Sequence, residues 1–175
     1  MSWGGHIDYV YDTVRLETAS DKKKENEMKI RNPSHIAIGV SNMAASLQFY
    51  RDVLGLHVTL DDPLENPGGT LQRPRHGVYL RWQDGPDATF IVLSENQPVS
   101  GEAIGLNQVG IHHFAFWVDD LEDTYRNVLA AGAEIVMPPT TFDSVAYGEE
   151  PGTQIRTTLF KDPDGIVLQL DQRIN

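Results

Sequence analysis

The chain contains no cysteine, which excludes disulfides, thiolate nucleophiles and zinc–thiolate clusters. Basic residues are scarce, with Lys+Arg 14 against Asp+Glu 25 and a formal charge of −11. That balance disfavours a surface that tracks nucleic-acid phosphates. No apolar run approaches the roughly 18 residues needed to cross a bilayer, and the N-terminus lacks the apolar stretch of a signal peptide. These absences lead to the expectation of a soluble, cytoplasmic protein with no nucleic-acid or membrane partner. At 175 residues and 40% hydrophobic the chain has enough apolar material for a real core.

What is present is a repeat. Residues 110–136, GIHHFAFWVDDLEDTYRNVLAAGAEIV, read as a short strand, a helix opened by Asp119 and Asp120, and a second strand after Gly132. Leu121, Tyr125, Val128 and Leu129 form one apolar stripe at helical period. Residues 35–58, HIAIGVSNMAASLQFYRDVLGLHV, repeat the pattern at an offset of 78, with His35 on His113, Ala37 on Ala115 and Val58 on Val136. Their stripe is Met43, Leu47, Tyr50 and Leu54, and Gly55 is the stop. Downstream, GPDATFIVLSEN (85–96) lies over DPDGIVLQLDQR (162–173) at an offset of 77. Self-similarity of this kind decides the architecture before any other feature.

In chain order, residues 1–33 match neither copy and form an N-terminal extension, with a charge run at 21–29 that reads as a solvated face or linker. Module one spans residues 34–97, a linker covers 98–109, and module two spans 110–172. Strand signals follow each helix, at 56–60, 77–82 and 89–94 in the first copy and at 155–160 and 166–170 in the second. Long Pro/Gly-rich loops are expected at 61–76 and 138–154. Asp162-Pro163-Asp164-Gly165 is good hairpin-turn chemistry. The unit is βαβββ, twice.

Paired βαβββ modules that each open with His-x-Ala-x-x-Val, with FYRDVLG in the first helix and KDPDGIVLQL near the end, resemble the vicinal oxygen chelate (VOC) superfamily. That group includes glyoxalase I, methylmalonyl-CoA epimerase, extradiol dioxygenases and the bleomycin resistance proteins. The resemblance covers about 140 residues, 34–171. It implies an α+β fold in which two tandem βαβββ modules form a curled mixed sheet around a central cavity, and a homodimer. It also implies a divalent metal (Fe, Mn, Ni, Co or Zn) that chelates the substrate through adjacent oxygens.

Family ligands come from the first and last strands of each module. Carried over, they fall on His35, His113 and Gln169, imidazole being a common ligand for such ions. Val92 occupies the fourth position and cannot ligate, and Gln169 stands where the family has a carboxylate. Glu95, three residues beyond Val92, reaches the site as a catalytic base only through a bulge. His112 is expected on the opposite face from His113. Trp117 shares the face of His113, and with Tyr147 and Arg156 it completes the expected substrate-binding set. Arg73, Arg75 and His76 could grip an anionic substrate or belong to a solvated loop. The implied activity is dioxygenase-like oxidation or glyoxalase- or epimerase-like proton transfer. A non-catalytic carrier or resistance protein with a degenerate metal site is the alternative.

Overall fold

The computed structural model describes residues 32–63, 74–96 and 99–174. The expected N-terminal extension and most of the first long loop lie outside the described residues. From Pro33 onward the chain forms one compact unit.

Strand β1 (His35–Gly39) leads into helix α1 (Met43–Leu47), which continues as π-helical turns over Gln48–Val53. Strands β2 (His57–Asp62), β3 (Arg75–Arg81) and β4 (Phe90–Asn96) complete the first module. The second module repeats the order with β5 (Phe114–Trp117), α2 (Leu121–Ala130), β6 (Ile135–Asp143), β7 (Gln154–Lys161) and β8 (Val167–Ile174). A 3-10 turn over Ser144–Tyr147 follows β6. The two four-stranded mixed sheets have the same connectivity, β1-β4-β3-β2 and β5-β8-β7-β6. In each, the first strand pairs parallel to the last and the other neighbours are antiparallel. This is the βαβββ fold the repeat predicts.

The helices start and stop for reasons visible in the residues. Asn42 Oδ1 accepts from Ala45 N at 3.1 Å, and the repeat-equivalent Asp120 Oδ1 accepts from Asp123 N at 2.9 Å. Each side chain satisfies an N–H that the helix itself leaves free. Gly55 (φ 78°) and Gly132 (φ 75°) adopt the left-handed conformation that ends them. Of the two predicted stripes, Met43, Tyr50, Leu121 and Val128 are buried, while Leu129 is exposed.

Alternation along the strands sends Val78, Leu80, Ile91 and Leu93 toward the helices in module one, and Phe114, Phe160, Leu168 and Leu170 in module two. With Met43, Phe49, Tyr50, Leu121 and Val128 these residues form one continuous core. Each sheet therefore has a helix-covered face and an opposite, open face.

A turn from module two grips the helix of module one. Tyr50 Oη donates to Asp162 Oδ2 at 2.9 Å, Ser41 N–H donates to Asp164 Oδ1 at 3.0 Å, and Ser46 Oγ lies 3.4 Å from Asp164 Oδ2. Asp162 Oδ1 also accepts from Asp164 N and Ile166 N, which shapes the predicted Asp-Pro-Asp-Gly turn. The structure differs from the sequence expectation at 138–154. Strand β6 runs on through Pro138 and Pro139 to Asp143, so only the 3-10 turn and the residues up to β7 are loop. β6 is an edge strand, where missing N–H groups are tolerated, and its pairing with β7 shifts register around the prolines.

Candidate active site

The open face of module two is built by register. Ala115 pairs with Gln169 and Trp117 with Asp171, so all four side chains share the face away from α2. On the far side of β8, Thr157 pairs with Asp171 and Leu159 with Gln169. The 3-10 turn after β6 brings Tyr147 over this row.

Asp171 is the centre of the arrangement, 3% exposed. Its Oδ1 accepts from Tyr147 Oη at 2.7 Å and from Gln169 Nε2 at 2.8 Å. Gln169 Nε2 also donates to Tyr147 Oη at 3.2 Å. Burial, and then the hydrogen bond to Asp171, raise the Tyr147 pKa, so at neutral pH Tyr147 is a hydroxyl donor. Thr157 Oγ1 is buried close to the same hydroxyl without an aligned hydrogen bond of its own. Trp117 lies 6.1 Å from Tyr147 between ring centroids, and Arg173 stacks over Trp117 at 4.7 Å while its guanidinium pairs with Glu149. A cavity of about 580 Å³ runs beside β5, lined by Ala115 and Trp117 together with Leu54, Leu56 and Trp82 from module one.

The open face of module one is aromatic and cationic. His35 stacks on Phe90 (5.2 Å, 20°) and its Nδ1 lies 3.0 Å from Ser34 Oγ. Arg81 sits over the same Phe90 ring at 4.4 Å and donates to the Ala88 carbonyl.

The family model described as the Glyoxalase/Bleomycin resistance protein/Dioxygenase superfamily matches residues 32–170. The chain belongs to this superfamily. It is 27% identical over 146 residues to an ethylmalonyl-CoA/methylmalonyl-CoA epimerase of Cereibacter sphaeroides, covering 79% of this chain and 96% of that one. It is also 27% identical over 139 residues to a lactoylglutathione lyase of Haemophilus influenzae, covering 77% and 87% respectively. Among solved structures, a glyoxalase family protein from Bacillus cereus aligns with a TM-score of 0.65 at 16% identity, covering 85% of this chain and 98% of that one. Glyoxalase I of Leishmania major aligns with a TM-score of 0.57 at 20% identity, covering 81% and 86%. At these identities the structural likeness establishes the fold.

The positions that the resemblance assigns to metal ligands carry no carboxylate in this chain. Val92 faces the open side of module one but is 3% exposed and apolar. The Gln169 amide nitrogen is committed to Asp171 and Tyr147. His113 Nδ1 lies 2.6 Å from His112 Nδ1, so the expected separation of the two rings onto opposite faces is not what the structure shows. Burial and then His112 lower the His113 pKa, against the opposing charge of Asp171, which favours neutral imidazole. Among the described residues no three His, Asp or Glu side chains converge where they could share an ion. Within one chain, His35, His113 and Gln169 offer two imidazoles and one carboxamide, a set without negative charge whose amide nitrogen is already engaged.

Two expected site residues belong elsewhere. The β3–β4 pairing runs regularly through Glu95 with no bulge. Glu95 stays on the helix side, where Oε1 accepts from Met43 N at 3.0 Å. Its repeat equivalent Gln172 does the same for Leu121 N at 3.1 Å. The shared role is to cap a helix from the last strand of the module. Arg156 also faces the helix, and its guanidinium pairs with Glu122 of α2. Trp117 and Tyr147 are on the open face. Asp171 was missed, although the signal was there: two residues past Gln169 on one strand means the same face.

Proposed function

We propose that this protein is a metal-independent VOC enzyme that moves a proton next to a carbonyl group of a small substrate, an isomerase or lyase type of reaction. The observation that carries the reading is Asp171, a carboxylate on the open face of module two whose Oδ1 is held by Tyr147 and Gln169. Among the described hydrogen bonds Oδ2 accepts none, and it is the oxygen available as base. Asp171 takes the proton from the carbon beside the carbonyl, and the C–H electron pair moves into the C–C bond as the carbonyl oxygen becomes an enolate. Delivery of a solvent proton to the opposite face of that carbon, with Asp171 releasing its own to solvent, gives the epimer. Where that carbon carries a hydroxyl, loss of the hydroxyl proton and return of a proton from Asp171 to the former carbonyl carbon gives the isomer. No electron leaves the substrate, so no oxidant is required. Neutral Tyr147 fixes the carboxylate, and the Trp117 wall orients a planar substrate. The epimerase and lyase names of the two curated relatives support this direction over oxidation.

The test is deuterium exchange. The purified full chain is incubated in D₂O with methylmalonyl-CoA or with lactoylglutathione, and incorporation is followed by mass spectrometry. Exchange in the wild type that falls at least about a hundredfold in Asp171→Asn is expected. Full exchange in the Asn variant would remove Asp171 from the chemistry. Tight binding of either compound with no exchange would favour the second reading, a carrier or resistance-type binding protein, for which Val92 and Gln169 at ligand positions speak. Homodimerisation belongs to the same proposal: Leu60, Trp117 and Phe142 on the open faces are 50%, 56% and 40% exposed. Light scattering reads it directly.

A further inference from the structure

The open face of module one holds an arginine that no carboxylate among the described residues neutralises. On β3, Arg75, Gly77, Tyr79 and Arg81 alternate onto that face. Arg75 is half-buried and folds back across Gly77. A Cβ added at Gly77 would lie 2.9 Å from Arg75 Nη2 and 3.0 Å from Cζ, so glycine is what lets the guanidinium lie there. Its Nε donates to Ser94 Oγ at 2.9 Å. The N–H groups of Nη1 and Nη2 have no hydrogen bond or ion pair among the described residues.

This is unusual for the molecule. Arg51, Arg126, Arg156, Lys161 and Arg173 are each paired with a carboxylate. Arg81 has a carbonyl and an aromatic ring. With 25 acidic residues against 14 basic ones, an unpaired guanidinium is not explained by a shortage of partners. Asp62, the register partner of Gly77 on β2, shares the face and forms no ion pair with Arg75.

The surroundings point to a ligand. Gly39, Ser94 and Gly77 form a row of small residues across β1, β4 and β3, a trough in the open face. Because Ser94 Oγ accepts from Arg75, its own proton is left to donate outward. Ser94 and Asn96 line a cavity of about 370 Å³, and Asn96 is the register partner of Arg75. The acidic side chains of that cavity are Glu102 and Asp164, and Asp164 is already committed to Ser41 and Ser46. Two Nη groups without a partner among the described residues, a hydroxyl donor and a carboxamide suit an oxyanion, since a guanidinium fork matches two oxygens of one group.

We propose that Arg75, Ser94 and Asn96 form an oxyanion subsite that takes a carboxylate or phosphate group of a small organic ligand. The subsite is a binding feature and does not depend on the proton-transfer reading.

The experiment is an NMR titration of the full chain, ¹⁵N-labelled, with succinate in one arm and inorganic phosphate in the other. Saturable shifts at the Arg75 Nε–H, Ser94 and Gly39 signals are expected in at least one arm, and the tighter arm identifies the anion. Arg75→Lys keeps the charge without the fork and should weaken binding about tenfold, as should Gly77→Ala, which displaces the guanidinium. Both variants should keep the amide dispersion of the folded chain. No saturable shift in either arm would overturn the proposal, as would unchanged affinity in the folded Arg75→Lys and Gly77→Ala variants. Deuterium incorporation into substrate reads the Asp171 proposal separately.

Discussion

Tyr50→Phe isolates one bond between the modules. The hydroxyl is fully buried and donates to Asp162 Oδ2 at 2.9 Å, while Asp162 is 5% exposed and otherwise held through Oδ1. Removing it leaves a buried carboxylate oxygen without its donor, which costs about 2 kcal/mol. For a chain of this size that lowers Tm by roughly 4–8 °C. The pH dependence makes the test specific. Burial, and then the charge of Asp162, raise the Tyr50 pKa well above 10.0. A raised pKa means that the stability it represents is complete below the unfolded value and is lost as pH rises toward the folded value. Above pH 10 the unfolded wild type ionises first, so the wild type loses about 1.4 kcal/mol per pH unit relative to Tyr50→Phe. The deficit of the variant should close within roughly 1.5 pH units above 10. The Asp162 pKa is also raised, chiefly by burial. Its contribution is therefore complete below the ordinary carboxylate value and lost as pH rises through the folded one, so at neutral pH its charge weighs on stability and the tyrosine donor offsets it. Urea denaturation of both proteins from about pH 7 to about pH 11.5 reads the difference. Equal midpoints at neutral pH, or parallel curves through the alkaline range, would refute the reasoning.

Glu95→Ala and Gln172→Ala should each cost about 1 kcal/mol by leaving the Met43 or Leu121 N–H without its acceptor, and add when combined because they serve separate helices. In the deuterium assay Glu95→Ala should match the wild type; lost exchange in a folded Glu95→Ala protein would return Glu95 to the chemistry. Elemental mass spectrometry of chelator-free protein should find Fe, Mn, Ni, Co and Zn well below stoichiometric, with no change in a His35→Ala/His113→Ala variant. Near-stoichiometric metal that disappears in that variant would restore the metalloenzyme expectation. Tyr147→Phe should retain the fold and slow exchange by about tenfold or more, since it removes one of two bonds that orient Asp171.

The architecture was legible because each strand and each α-helix occurs twice. A 78-residue offset shows Asn42 and Asp120 as the same cap and Met43 and Leu121 as the same buried position before any coordinate is known. What escaped was information that no single strand carries. Edge position decides whether Pro138 and Pro139 break a strand, and a sheet edge is not visible in a local stretch. The facing of Glu95 was in fact legible, since the same offset that gives Val92–Gln169 gives Glu95–Gln172. The resemblance drew Glu95 toward a metal, whereas the repeat placed it with a residue of cap chemistry. The family's ligand positions likewise directed attention to Gln169, and Asp171, two residues on and the buried carboxylate of that face, went unread.

The grip of the Asp162–Gly165 turn on α1 has a consequence for ancestry. At the repeat offset, Tyr50 corresponds to Val128, which is fully buried and has no hydroxyl to give. A pair of identical ancestral halves would have offered the same contact in both directions. Here one direction has a donor and the other has none, so the halves are not interchangeable, and two copies of the second half joined head to tail would lack the hydroxyl that now joins them. A duplication that began as symmetry has become an address, written in one phenol, that tells each half which place to take.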